Sequence, residues 1–203
     1  MIKKLAIVAA VLGIVYYSLS GSKLDTSAYA AQRNKARREK NLSFRQSETS
    51  PLPPVQKAQF DSLKYYPTDA AFVIDARIIR NEKPDTTLMQ MSDNRAEKYL
   101  KWGTAQFQLN KQAQQLELYL KADGKDSTLF VPFTDLTNGR ETYGGGRYLD
   151  APLPKLNEAE LKLDFNAAYN PYCAYNNDYS CPVPPAENRL QVAIRAGEKS
   201  FHD

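Results

Sequence analysis

The sequence predicts an all-β domain, an antiparallel sandwich or partly open barrel with long polar loops, preceded by an N-terminal hydrophobic helix and a short polar helix. Three observations carry this expectation. Short runs rich in β-branched and aromatic residues recur at regular spacing from Phe72 onward, with turn residues between them. No long amphipathic helical pattern interrupts them, which argues against a parallel α/β sheet. The composition, 42% hydrophobic and 25% charged, is that of a globular chain.

The chain divides into residues 1–21, a signal peptide or membrane anchor, residues 22–54, a basic helix and proline-rich linker, and residues 55–203, a single β domain. Lys3 and Lys4 precede an unbroken apolar run over residues 5–17, and Ser18, Ser20 and Gly21 follow it. A cationic start, an apolar stretch and small residues behind it describe a secretory signal. Residues 2–19 are also nearly long enough to span a bilayer as an uncleaved anchor. The membrane is therefore an expected partner through residues 2–19, with the domain secreted or membrane-anchored and facing the periplasm or exterior. The basic residues behind the run outnumber Lys3 and Lys4, and the positive-inside rule taken alone would face the domain to the cytoplasm. No cysteine follows the run, so lipoprotein anchoring is not supported.

Residues 23–40 favour helix, with Asp25, Thr26 and Ser27 supplying a cap region. Few large apolar residues occur there, so an exposed helix or stalk is expected, its basic run solvated or lying on anionic headgroups. Residues 41–54 end in Pro51, Pro53 and Pro54 and read as extended linker. Strand patterns then cover residues 72–79, 86–91, 99–109, 115–121, 127–133, 161–165 and 190–195. Turns are expected at Pro84-Asp85, at Asn110-Lys111-Gln112 and at Ala122-Asp123-Gly124-Lys125.

The formal net charge is +4, from 27 basic and 23 acidic residues, and much of the excess lies in residues 33–40. The remainder is near neutral, so the domain lacks the basic face that nucleic-acid binding needs. Thirteen tyrosines suit half-buried strands and binding clefts.

Two long stretches, residues 134–150 and 164–189, are not strand-like. Long loops on a rigid sheet are where sites tend to lie. They and the segment behind them supply the candidate ligand-binding residues: Arg140, Tyr143, Arg147, Asp164, Asn166, Tyr169, Asn170, Asn188 and Glu198. The same segments carry motifs: Gly139-Arg140-Glu141-Thr142-Tyr143, Gly146-Arg147-Tyr148, Asp164-Phe165-Asn166, Ala168-Tyr169-Asn170-Pro171, Cys173-Ala174-Tyr175, Glu187-Asn188-Arg189-Leu190 and Ala196-Gly197-Glu198-Lys199. In these the chain resembles the bacterial and archaeal family known as domain of unknown function 1684, over about residues 28–199. The resemblance implies membership and no activity.

Cys173 and Cys181 are the only cysteines, with seven residues between them. In an oxidising compartment such a pair is most simply a disulfide, and in the cytoplasm it is reduced. No metal and no cofactor are expected: two cysteines and the lone His202 fall short of a zinc site. A Ser-His-Asp triad is excluded, because the only histidine is His202 at the C-terminal end and no serine sits in a nucleophile elbow. Gly144-Gly145-Gly146 between Arg140 and Arg147 admits two readings, an anion cradle or a turn whose arginines pair with Asp135, Glu141 or Asp164.

Whether the chain is an enzyme stays open at this stage. The expectation is a binding or structural module of the cell envelope, taking a small polar or anionic ligand or an envelope protein. The alternative is a carboxylate-dependent hydrolase, with Asp164 or Glu198 as base and Arg147 stabilising negative charge. A third reading makes the loops a plug that stabilises the fold.

Overall fold

A computed structural model describes residues 25–122 and 127–202. The hydrophobic segment expected over residues 2–19 lies outside the described residues, as does most of the turn expected at Ala122–Lys125. No helix among the described residues is long and apolar enough to cross a membrane.

Six antiparallel strands form one sheet: β1 (Val73–Gln90), β2 (Ala96–Leu109), β3 (Gln112–Lys121), β4 (Thr128–Phe133), β5 (Arg147–Pro152) and β6 (Glu160–Asp164). Their order is β5-β4-β3-β2-β1-β6. The two ends of that order curl back toward each other, and an isolated bridge from Tyr148 on β5 to Tyr169 just beyond β6 helps to close the gap. The result is a nearly closed barrel. Alternation along each strand fills its interior with Ala105, Phe107, Leu116, Leu118, Leu129, Val131, Phe133, Leu149, Leu161 and Leu163.

Two stretches expected as separate strands join into the single strand β1. Its pairing with β2 shifts register between Arg80 and Asp85, and this irregularity absorbs Pro84, which has no N–H for a ladder. The hairpin at Asn110 and Lys111 is tight: both residues have positive φ, 52° and 63°, which matches the twist of the flanking strands. Two further expectations need correction. Residues 147–150, read as loop, belong to β5. Residues 190–195, read as a strand, carry no named strand, although Leu190, Val192 and Ile194 point into the core.

Helix α1 (Thr26–Gln46) is capped by the Asp25 carboxylate, which accepts from the Ser27 and Ala28 amides. It is not a free stalk. Its docking face carries Tyr29, Arg33, Arg37, Lys40 and Phe44, recurring every three to four residues. The Tyr29 hydroxyl donates to Asp164 at 2.5 Å, Lys40 meets Glu198 at 2.6 Å, and buried Phe44 packs edge-on against Tyr175. Charges rather than hydrophobic side chains form most of this seam, so the helix looks unpartnered by hydrophobic pattern. The proline-rich segment behind it packs too. Leu52 is buried with Phe44, Phe60 and Leu63, and the Ser50 hydroxyl donates to the Phe44 carbonyl. The short helix α2 (Pro54–Gln59) follows, with Pro54 in its first turn, where a missing N–H costs nothing.

Candidate functional site

The candidate residues from the two long loops separate into those that hold the fold and those that border open space. Arg147 belongs to the first group. Its side chain is 0% exposed, and it donates to the carbonyls of Ile194 and Ala196 and to the Glu198 carbonyl at 3.1 Å. It also pairs with the Asp135 carboxylate at 2.8 Å and lies over the Phe133 ring. Asp135 in turn accepts from the amides of Thr137 and Ile194. The guanidinium therefore takes the place of a strand partner for residues 194–198.

Asn188 and Asn166 act in the same way. Asn188 donates to the carbonyls of Glu117 and Pro132 and accepts from the Glu117 amide, pinning the second loop to β3 and β4. Asn166 exchanges two hydrogen bonds with the backbone of Asp69. The Asn170 side chain donates to the Lys199 carbonyl. The glycine triplet is a packed turn. Gly146, at φ +94°, sits against Pro184 and the Phe133 carbonyl, while the Tyr143 ring covers Gly145. Arg140 is exposed, and Glu141 pairs with Arg195 at 2.9 Å.

Glu198 is a carboxylate that is 1% exposed. It accepts from the Tyr175 hydroxyl, from the Asn170 amide at 2.9 Å and from the Tyr65 hydroxyl at 3.3 Å, besides pairing with Lys40. Asp164 accepts from Tyr29 and the Asn166 amide and faces Arg33 at 3.6 Å. Arg147 reaches Glu198 only through its backbone, so no pair of carboxylates converges with Arg147 on a common cavity.

A separate open space lies on the outer face of β2, β4 and β5. A cavity of about 500 Å³ is floored by Tyr99, Phe130, Tyr148 and Asp150 and walled by Tyr169, Tyr172, Tyr179 and Cys181 of the second loop. Strand alternation explains the floor: Leu129 and Val131 point inward, so Phe130 points out, and Leu149 does the same for Tyr148 and Asp150. The rings form a connected series, with centroids 5.6 Å apart for Tyr99–Phe130, 4.8 Å for Phe130–Tyr148 and 5.8 Å for Tyr148–Tyr169. Such spacings are those of stable aromatic pairs. Glu97 and Lys121 stand at the rim.

The loop wall is fixed by hydrogen bonds. The Tyr148 hydroxyl donates to the Pro182 carbonyl, the Tyr169 hydroxyl donates to Asp150 at 3.0 Å, and the Ser92 and Cys181 segments exchange two bonds. Burial raises the Tyr148 and Tyr169 phenols well above their usual value; the Cys181 and Cys173 thiols add to the effect at Tyr148, and Asp150 adds to it at Tyr169. Both remain neutral donors and acceptors at ordinary pH. Of the sequence candidates, Tyr169 lines this cleft, and Tyr143 places its hydroxyl 3.7 Å from Cys173 Sγ. Tyr99, Phe130, Tyr148, Asp150 and Tyr179 were missed, because only the pairing of distant strands brings them together.

Cys173 and Cys181 are adjacent free thiols, with the Cys173 amide donating to Cys181 Sγ at 3.2 Å. Hydrogen bonding from the Cys181 thiol draws the Cys173 thiol down to about 6, helped by Tyr143, while the same contact and burial push Cys181 up. Among the described residues no group of three or more His, Cys, Asp and Glu is placed to hold a metal ion.

A family model described as a protein of unknown function, DUF1684, matches residues 58–199. Among solved structures, the chain is similar to the solution NMR structure of an uncharacterized protein from Haloarcula marismortui, gene locus rrnAC0354. The identity is 37%, the match covers 88% of this chain and 98% of that one, and the TM-score is 0.70. No curated protein matches.

Proposed function

The chain belongs to the DUF1684 family of proteins of unknown function, and from that premise we propose that it is a binding module whose ligand occupies the tyrosine-lined cleft. The observation that carries the reading is the cleft itself. Its volume of about 500 Å³ falls within the usual range for small-molecule sites, ~300–1,000 Å³. Its walls combine ring faces with polar groups in similar measure: Asp150, Glu97, Lys121, Thr128, Ser180 and the tyrosine hydroxyls. That chemistry suits a small polar ligand with an apolar face, stacked on a ring and hydrogen-bonded through hydroxyl or amino groups. The loop polar residues serve as scaffold: Arg147, Asn166 and Asn188 spend most of their hydrogen bonds on backbone groups of residues 194–198, Asp69, Glu117 and Pro132.

In this reading residues 2–19 form a hydrophobic helix that tethers or exports the domain, and the cleft faces the periplasm or exterior. The apolar run behind Lys3 and Lys4 supports that part. Protease accessibility in spheroplasts, with any outer membrane opened and the inner membrane intact, tests it: digestion is expected, and protection until the inner membrane is lysed would contradict it.

The site is tested by screening the full-length chain against saccharides, amines and amino acids by thermal shift. The strongest ligand is then titrated into variants. Asp150→Asn and Tyr179→Ala should each weaken binding by tenfold or more, while Arg140→Ala leaves it unchanged. Unaltered affinity in both cleft variants would remove the site from the cleft.

A further inference from the structure

The groove between α1 and the barrel holds a second feature, which shares only Tyr169 with the cleft. A cavity of about 140 Å³ lies there, lined from the helix by Arg33, Arg37 and Lys40 and from the barrel by Tyr65, Tyr169 and Glu198. Two of the cations have carboxylate partners: Arg33 faces Asp164 at 3.6 Å, and Lys40 pairs with Glu198 at 2.6 Å. Arg37 instead stacks on the Tyr65 ring, its guanidinium carbon 4.6 Å from the centroid. Its Nε and Nη2 are shielded from solvent and have no hydrogen-bond partner, and Arg33 Nε is in the same condition.

Nε and Nη2 are the two donors on one edge of the guanidinium, the edge that grips two oxygens of a carboxylate or phosphate side by side. A ring behind the guanidinium plane holds that edge in place. Three cations stand against two carboxylates here, which leaves one positive charge uncompensated. Burial disfavours the charged form of Arg37, a penalty that a bound anion would reverse. From this geometry we infer that the groove is a binding site for a small oxyanion, a carboxylate or phosphate group held bidentately by Arg37 and contacted by Arg33. The cavity has room for such a group and a few bonded atoms. A free molecule and a lipid headgroup share that chemistry.

The test observes the Arg Nε–H resonances of the full-length chain by NMR, in a nonionic polyoxyethylene detergent. Sodium phosphate and sodium acetate are titrated against sodium chloride at matched ionic strength. A second arm places the chain in phosphatidylcholine nanodiscs with or without phosphatidylglycerol. Saturable shifts of the Arg37 and Arg33 Nε resonances with phosphate or acetate, and not with chloride, are expected for a free oxyanion. A response confined to phosphatidylglycerol would support the same site with a lipid source. Arg37→Gln should weaken the interaction tenfold or more, and Arg38→Gln, on the exposed side of the helix, should not. Should Arg37→Gln fail to fold by circular dichroism, Arg37→Lys, which keeps the charge and loses the two-donor edge, carries the comparison. Absence of any saturable response in both arms, or equal affinity in the Arg37 variant, would overturn the assignment.

Discussion

Replacing Arg147 by methionine should unfold the domain far more readily, without regard to any ligand. The side chain is fully buried, and so is that of its partner Asp135. Methionine fills much of the volume but strands the Asp135 charge and the carbonyls of Ile194, Ala196 and Glu198. Breaking a buried pair by removing one partner costs about 3–5 kcal/mol. The carbonyls add to this, while the Thr137 and Ile194 amides still bonded to Asp135 offset part of it. A net loss of about 3–5 kcal/mol is therefore expected, or about 6–20 °C in Tm for a domain of this size. Urea unfolding followed by tyrosine and tryptophan fluorescence measures it. A loss below about 1 kcal/mol would show that Arg147 is not what holds residues 194–198, and would return it to the pool of ligand-binding candidates.

Gly197→Ala should cost at least about 1–2 kcal/mol, because Gly197 has φ +75° and an added Cβ would lie 2.5 Å from the Ala168 carbonyl oxygen; urea midpoints check this, and a neutral result would mean the segment can shift. Alkaline titration should show cooperative unfolding rather than free ionisation of the phenols: Tyr66 and Tyr143 are pushed up to about 12, mainly by burial, from a usual 10.0. A phenol raised in the folded state contributes stability that is full below pH 10 and is lost as pH rises toward 12, so absorbance at an ultraviolet phenolate band and circular dichroism should change together. In the reduced protein Cys173 should be alkylated by iodoacetamide with a half-maximal rate near pH 6, and Cys181, the more deeply buried thiol, should stay unreacted; a Cys173 midpoint near 9.0 would refute the hydrogen bond between them.

Most of the barrel was legible because its strands obey a period of two: Leu116, Leu118 and Leu129, Val131 alternate with outward residues whatever surrounds them. β5 was hidden because Arg147 occupies an inward slot where a hydrophobic residue is expected, and because glycines precede it. The reverse error over residues 190–195 has the same origin. Their inward side chains alternate, but the Ile194 carbonyl bonds to the Arg147 guanidinium, and the Val192 carbonyl and Leu190 amide bond only to the loop backbone at Leu136 and Thr134, so no strand ladder forms. The docking face of α1 has a helical period written in Tyr29, Arg33, Arg37, Lys40 and Phe44, and its partners Asp164 and Glu198 lie more than a hundred residues away in sequence. Of the site, the sequence offers the polar-loop residues as ligand candidates. It could not separate residues bonded to backbone from residues facing a cavity, since both uses select Arg, Asn and Tyr. The cleft depends on strand pairing that places Tyr99, Phe130 and Tyr148 side by side.

The most direct test of the account is to map the strongest small polar ligand from the screen onto the full-length chain by methyl and aromatic NMR. The account predicts saturable shifts and ligand contacts at Phe130, Tyr148, Tyr169 and Tyr179, with Arg140 unperturbed. Contacts at Arg140 and the glycine turn, with the cleft rings silent, would contradict it.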